Sequence, residues 1–536
     1  MRLRLVVLFQ LICVSLSGRE IPITILHTCD LHGNVLPTEN YEARANLGGI
    51  ARCATKIRQV RSQANKVLLV DAGDTIQGAA VGYLTGGQSM VKAMNELQYD
   101  AWVWGNHEFD WGLEKLADCA DLASSPILTA NLQRASTNAA VTAAAARILA
   151  RRKDYILRDV DGVKVAIIGL TTPGIPNWSR PRLIGGLKFE DSIETLRRLI
   201  PAVRRAGAQV LVLVCHQGYR EQGDDQANQI NAIAQNFPEL DVIIGAHTHR
   251  CFPELRVGNV LYCQAEHSGD YLGRVDLVYD TVRNRVIRRS AQTILMDDQV
   301  ALDPGLMTLL KPDIDRARET LSTVIGWASA DFGIDGAPRR ETAIHNLICG
   351  SISEALRGRG VTVDVVVHGI LDLRATLRKG PVTVGDIWRV VPYENTVGVL
   401  QLTSVQLKLI LEENASAYDK REFRGVWGVS CQLDPKRQEG ARILSLRRAN
   451  GTILDENQRL DVAFNSYDLA GAGMRWKRLR EKANDPSAHL VEYDLQVRQA
   501  LIDYIRSHRE VSPQVGGWWD TVRQSRSSSP STLRLP

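Results

Sequence analysis

The sequence predicts an α/β protein of two unequal domains, and three observations carry that prediction. Its 536 residues exceed what one hydrophobic core usually holds. From about Arg19 to Asp280, short β-branched runs alternate with helical patterns. A polar, helix-prone stretch over 297–327 then separates this half from a second one with strand and helix signals of its own. Hydrophobic residues at 44% and charged residues at 23% are globular proportions, so a wholly disordered chain is not expected. The net charge of +5 is thin over this length, and no basic stripe is interleaved with aromatics. A nucleic-acid polymer is therefore not an expected partner.

The elements follow in order. Arg2 and Arg4 precede an apolar run from Leu5 to Leu16 and the small residues Ser15, Ser17 and Gly18. This is the order of a secretory signal peptide, so 1–18 is read as an export signal and the protein as periplasmic or secreted. The run is short for a membrane span, and no other segment reaches spanning length, so no stable membrane span is expected. "IPITIL", "KVLLV", "KVAIIGL", "VLVLV" and "DVIIG" read as strands that are apolar along their whole length, which suits a sheet covered on both faces. Ile50 to Val60 and Ser192 to Arg205 read as helices between them. Ala139 to Ala150, after the cap-forming Ser136, Thr137 and Asn138, reads as an inserted surface helix. In the second half "VTVDVVVHG" and "LDVAFNSYD" are strand-like and "SVQLKLILEEN" is helical. The tail, 511–536, is expected to lack structure. Beyond the leader lie eight cysteines without Cys-x-x-Cys spacing, which speaks against a zinc ribbon; Cys251 and Cys263 are able to pair, but single buried thiols are expected.

Chemistry concentrates where the predicted strands end. Asp30 and His32 follow the first strand, Asp71 and Asp74 the second. "WVWGNHEFDWG" places Asn106, His107, Glu108 and Asp110 after a third, His216 follows "LVC", and His247 and His249 follow "IIGA". Open α/β sheets build sites at the carboxyl ends of their strands, so residues this far apart in sequence can meet. Any one of these groups is ordinary as a structural residue. Five such segments, each at a strand end, point to a metal centre, and imidazole with carboxylate suits zinc, manganese or iron better than calcium.

Asp30-x-His32, Gly73-Asp74, Gly105-Asn106-His107-Glu108, His216 and Gly245-x-His247-x-His249 resemble the signature of the calcineurin-like metallophosphoesterases. "NHEFDWG" with "GAHTH" is similar to the 5′-nucleotidase branch, which includes cyclic-nucleotide phosphodiesterases and UDP-sugar hydrolases. One departure is Cys29, where the family usually has Asn before the Asp. The resemblance implies a four-layer αββα catalytic domain, 19–296, a helical linker, 297–327, and a smaller α/β substrate-binding domain, 328–510. It implies two divalent ions (zinc, manganese, cobalt or iron). Asp30, His32, Asp74 and His249 would hold one, with Asp74 bridging, while Asn106, His216 and His247 complete the second. His107 would assist the leaving group or the developing phosphoryl charge, oriented by Asp110, and a hydroxide formed at the metals would attack phosphorus in line. Glu108 is left as a structural hydrogen-bonding residue.

For the second half the resemblance implies Arg340 (or the neighbouring Arg339) and Arg374 as phosphate arginines, Tyr393 and Tyr467 as aromatics stacking on a base, and Asn395 as a base contact. Two departures concern this half. The family's Asn-Gly-Gly-Gly loop is here His368 to Leu373, and its Gly-Asp-Gly is Gly471, Ala472 and Gly473. The expected activity is hydrolysis of 5′-nucleotides or 2′,3′-cyclic nucleotides. Its rivals are a non-nucleotide phosphate ester as substrate, or a binding protein that keeps the fold without catalysis.

Overall fold

The computed structural model describes residues 18–39, 42–64, 66–135 and 142–521. Two mixed sheets face each other at its centre. The first has seven strands, in spatial order Arg285–Leu295, Tyr271–Asp280, Glu20–Thr28, Val67–Asp71, Ala101–Trp102, Ile127–Leu128 and Arg152–Lys153. The second has six, in the order Cys251–Val257, Val260–Ala265, Val242–Ile244, Val210–Cys215, Val163–Leu170 and Tyr155–Val160.

Alternate residues of each strand meet between the sheets. Ile23, Ile25, Leu68 and Val70 from the first pack with Val165, Ile167, Val212 and Val214 from the second. The opposite faces bury against helices, which is why these strands are apolar throughout. Ile50–Gln63, Gln88–Glu96 and Leu113–Leu122 cover the first sheet, and Ser192–Arg205 and Ile230–Asn236 cover the second. The expected αββα order is present. The long hairpin Tyr271–Asp280 and Arg285–Leu295 extends the first sheet, and the sequence reading had singled out neither strand. Arg285–Leu295 is half exposed and rich in arginine, so it lacks the continuous apolar run that marked the others.

The second half surrounds a five-stranded sheet, ordered Gly425–Trp427, Val365–His368, Arg459–Asn465, Thr396–Thr403 and Val491–Gln496. Helices Ala343–Arg357, Val384–Val390 and Val497–His508 pack on one face, while Ser404–Ala415 and Lys477–Ala483 pack on the other.

Two expectations change, for the alanine-rich helix and for the tail. The alanine-rich helix runs Ala143–Arg151 and is capped by Thr142, whose side chain accepts from the Ala145 amide. Ser136, Thr137 and Asn138 lie outside the described residues, and the helix is not merely superficial, because Ala144, Ala145 and Ile148 are buried against the first core. The linker contains the helix Pro304–Ser322, which docks Leu306, Leu310, Ile314 and Ala317 into that same core. Gly326, at the end of the linker, sits inside the strand Val324–Ala328, paired with Gly380–Thr383 and Glu510–Val511. A Cβ there would stand 2.6 Å from Ile505 Cγ2, so this glycine permits close packing. Within the tail, Trp519–Thr521 pairs in parallel with Ser430–Leu433, and Trp519 is buried in the second half's core.

The expected export signal, 1–18, lies outside the described residues except for Gly18. Among the described residues no helix is long and apolar enough to cross a membrane. All eight described cysteines are free: the Cys251 thiol lies against Thr293 Oγ1 (3.4 Å) and that of Cys263 against His27 Nε2 (3.5 Å).

Candidate active site

The loops that leave five strands, from both sheets, converge on one spot. Two donor groups form there, Asp30 with His32 and His249, and Asp74 with His216 and His247; within each, the donor atoms lie within 4.8 Å of one another. All but His216 have positive φ: Asp30 (50°), His32 (48°), Asp74 (55°), His247 (71°) and His249 (51°). Left-handed backbone at non-glycine residues costs energy, roughly 1–3 kcal/mol each, and persists where the surroundings over-determine it. The loops turn back as soon as each strand ends, and this aims successive side chains at one point.

Glu108 holds two of these loops together. Its buried carboxylate accepts from the amides of Asp74 (2.8 Å), Thr75 (2.6 Å) and Gly105 (2.6 Å). Burial, with Asp74 nearby, pushes its pKa up to about 7. Gly73 and Gly105 let the loops touch: a Cβ on Gly105 would lie 2.2 Å from Asp74 Oδ1.

Backbone carbonyls set the imidazole tautomers. His32 Nδ1 lies 3.2 Å from the Gln77 carbonyl and His216 Nδ1 2.8 Å from that of Ala72, so each carries its proton on Nδ1 and turns Nε2 to the cluster. His32 Nε2 then faces His249 Nε2 at 3.0 Å, and His249 Nε2 lies 3.4 Å from Asp30 Oδ1. In the other group His216 Nε2 is 3.0 Å from Asp74 Oδ2 and 3.2 Å from Asn106 Oδ1. The backbone ties the groups together, since His247 N donates to Asp30 (3.0 Å) and His107 N to Asp74 Oδ1 (2.8 Å).

Within both groups buried imidazoles and carboxylates shift one another. Burial, reinforced by His249, pushes His32 down to about 3; burial, reinforced by His216, does the same to His247, so these rings are neutral donors. Burial opposes charge on His216 too, but Asp74 outweighs it and raises His216 to about 9. Burial likewise opposes charge on Asp74, yet His216 and His107 hold its carboxyl well below the usual range. Convergent imidazole nitrogen and carboxylate oxygen fit a divalent transition ion in either group.

His107 stands beside the donors rather than among them. Its ring centroid is 5.2 Å from that of His32, and its Nδ1 is hydrogen-bonded to Asp110 Oδ2 at 2.6 Å. Burial alone would lower its pKa; the carboxylates of Asp110 and Asp74 outweigh burial and raise it well above the ordinary histidine value, and Tyr393 adds to the rise.

The second half reaches this spot unevenly. Tyr393 is close enough to influence His107, and it is 36% exposed. Tyr467 is half-buried beside Gly473, and Gly473 lies against Trp178, whose ring is 5.0 Å from His247. Asn395 is half-buried in the segment leading into Thr396–Thr403. Arg374 meets carboxylates, Asp372 at 3.3 Å and Glu39 at 3.5 Å. Arg340 is exposed, and Arg339 is engaged by Asp419. No described contact joins these arginines to the donor groups.

Sequence reasoning missed Trp178 and Gln77. Both lie in loops leaving strands, the same position that identified the ligand candidates. Gln77 also donates to Glu394, which pairs with Arg498 at 2.9 Å inside the domain interface. Arg180 crosses the same interface, 3.2 Å from Glu492 and from Asn484 Oδ1.

Comparison with known proteins agrees with this architecture. Residues 23–251 match the family model of the calcineurin-like phosphoesterases, and residues 322–481 match that of the 5′-nucleotidase C-terminal domain. The chain therefore carries a calcineurin-like phosphoesterase domain followed by a 5′-nucleotidase C-terminal domain. It is 28% identical to a snake venom 5′-nucleotidase of Gloydius brevicauda, with 94% of this chain and 89% of the relative covered. It is also 28% identical to the trifunctional nucleotide phosphoesterase protein YfkN of Bacillus subtilis; 92% of this chain is covered, but it spans only 34% of that longer protein. A putative 5′-nucleotidase from Staphylococcus aureus superposes with a TM-score of 0.78 at 23% identity, covering 93% of this chain and 99% of the other. A 5′-nucleotidase precursor from Thermus thermophilus gives 0.70 at 24% identity, covering 94% and 100%.

Proposed function

We propose that the chain is an exported two-ion phosphoesterase that hydrolyses small nucleotide esters, 5′-nucleotides or 2′,3′-cyclic nucleotides. The observation that carries this reading is the pair of convergent donor groups with His107 beside them. Asp30, His32 and His249 would hold one ion, and His216, His247 and Asn106 the other, with Asp74 available to both. Divalent ions held there supply Lewis acidity and an activated water near neutral pH. His107 is not a ligand in this scheme. Its Nε2, with Nδ1 held by Asp110, delivers a proton or positive charge to the departing ester oxygen. Tyr393 and Tyr467 receive the base, and the arginines of the second half receive the remaining phosphate oxygens. Export rests on the N-terminal charge-apolar-small pattern and fits relatives that are venom proteins.

One observation favours a second reading, in which the ester is not a nucleotide. Arg374 is engaged by Asp372 from the altered loop, and His368 of that loop is buried with its Nδ1 on the Gly369 carbonyl. Purified protein stripped by chelator and reloaded with zinc, manganese or cobalt should regain turnover. A panel of nucleoside monophosphates, 2′,3′-cyclic nucleotides and aryl phosphate then separates the readings. Full turnover without metal overturns the two-ion assignment, and preference for aryl phosphate overturns the nucleotide one.

A further inference from the structure

Beside the two donor groups lies a third cluster that the proposed reaction does not use. Glu266, His267 and Asp270 sit on the loop between Val260–Ala265 and Tyr271–Asp280, and their donor atoms fall within 4.8 Å of one another. His267 Nε2 is 4.0 Å from Glu266 Oε1, and the His267 ring lies 5.0 Å from that of His249.

Asp270 is the informative member. It is completely buried, and among the described residues neither carboxylate oxygen has a hydrogen-bond partner. A buried carboxylate left unpaired is expensive, and native folds satisfy such groups with donors, water or ions. The loop around it is otherwise well bonded. Asn34 donates to Ser268 Oγ at 3.1 Å, His267 Nδ1 lies 2.9 Å from the same oxygen, and the Ser268 amide donates to the Asp30 carbonyl. The Asp270 amide and carbonyl are also paired, to His267 and Met296. Only its side chain is unanswered, and that side chain points at an imidazole and a second carboxylate. Arg44 is near enough to favour its charged form but makes no hydrogen bond to it, and burial with Glu266 pushes the carboxyl up to about 7.

We propose that Glu266, His267 and Asp270 bind a further divalent cation, distinct from the ions of the two donor groups. Imidazole with two carboxylates is a zinc or manganese set, and metal–ligand distances of about 2.0–2.2 Å leave ligand pairs about 3.3–4.4 Å apart, close to the spacing present. Entry is provided by a cavity of about 410 Å³ lined by Glu266, His249, Arg44 and Arg250. The cation neutralises Asp270, fixes the 266–270 loop, and so holds His267 against the back of His249.

The test counts and locates ions in full-length protein. Metal-stripped protein is titrated with zinc alone and manganese alone, bound metal is measured by mass spectrometry, and the ions are placed by anomalous diffraction. The wild type should show density at Asp270 as well as at the two donor groups. Asp270→Asn should lose that density and one equivalent of metal, with a smaller metal-induced rise in Tm, and should keep density at the two groups. Glu266→Gln, at a more exposed position, should weaken the same ion if Asp270→Asn folds poorly. His216→Ala should do the reverse, losing density at its own group and keeping it at Asp270. Density at the two groups alone in the wild type, or an Asp270→Asn protein that keeps every ion, overturns the proposal. Density at Asp270 alone supports it and overturns the two-ion reading instead.

Discussion

The two halves of the molecule build their parts of the site in opposite ways. In the first, every candidate ligand follows a strand end, the loops of Asp74 and Asn106 are pinned by Glu108 and those of Asp30 and His247 by an amide donated to a carboxylate, and most donors accept left-handed backbone to point inward. In the second, Tyr393 is exposed, Arg340 is exposed, and Arg374 is held by carboxylates. In the proposed scheme a centre pinned into two sheets can act on many esters, whereas recognition would fall to separate side chains of the second half. Chemistry and selectivity should therefore fail separately.

The sharpest way to break this comparison is His107→Asn. Loss of general acid or electrostatic assistance typically costs ~10²–10⁴-fold in kcat, while metal content should stay at the wild-type value. If metal leaves together with activity, His107 is a ligand and the division of roles is wrong.

A smaller effect is expected across the interface. Tyr393→Ala and Tyr467→Ala should raise KM for a nucleoside monophosphate by ~1–3 kcal/mol, the scale of one base–aromatic stack, and leave KM for an aryl phosphate little changed. Equal losses on both substrates mean that the tyrosines organise the site as a whole. No loss on either means that the base is not read there.

A third test reads stability rather than turnover and sharpens the rigid side of the comparison. His27, buried between the sheets, lies flat on Gly273, where a Cβ would stand 1.9 Å from its Nε2, and its Nδ1 has no hydrogen-bond partner. Burial lowers its pKa from 6.5 to about 3. Between those values the unfolded chain takes up a proton that the fold refuses. Its contribution to stability is therefore complete above pH 6.5 and falls as the pH drops, by about 1.4 kcal/mol per pH unit. His27→Gln should flatten the acid side of the Tm profile, and an unchanged slope would show that other groups govern acid unfolding.

Much of the first half was legible because its code is local. Full-length apolar runs mark strands covered on both faces, and a cluster of Asp, His and Asn just after such a run marks the carboxyl end of a strand. Those two rules reach Asp30, His32, Asp74, Asn106, His107, His216, His247 and His249 without coordinates. Trp178 and Gln77 obeyed the second rule but are not metal-binding types, so nothing drew attention to them. The half-exposed strand Arg285–Leu295 lacked the apolar signal, and Trp519 looked like part of a polar tail because its partner strand is almost ninety residues away.

Residue type and strand position, then, are what the sequence by itself determined: the two-sheet catalytic architecture and the identities of the donors at its edge. Distances between those donors belong to tertiary structure, because they depend on loops from both sheets meeting with Gly73 against Gly105. So do the burial that drives His32 down and Asp74's carboxylate that drives His216 up. Tertiary structure alone also made Gly326 a packing site, and left Asp270 fully buried with a carboxylate that accepts no hydrogen bond from the described residues. Periodicity records which face of an element is covered, but the partner that covers it is set by long-range packing.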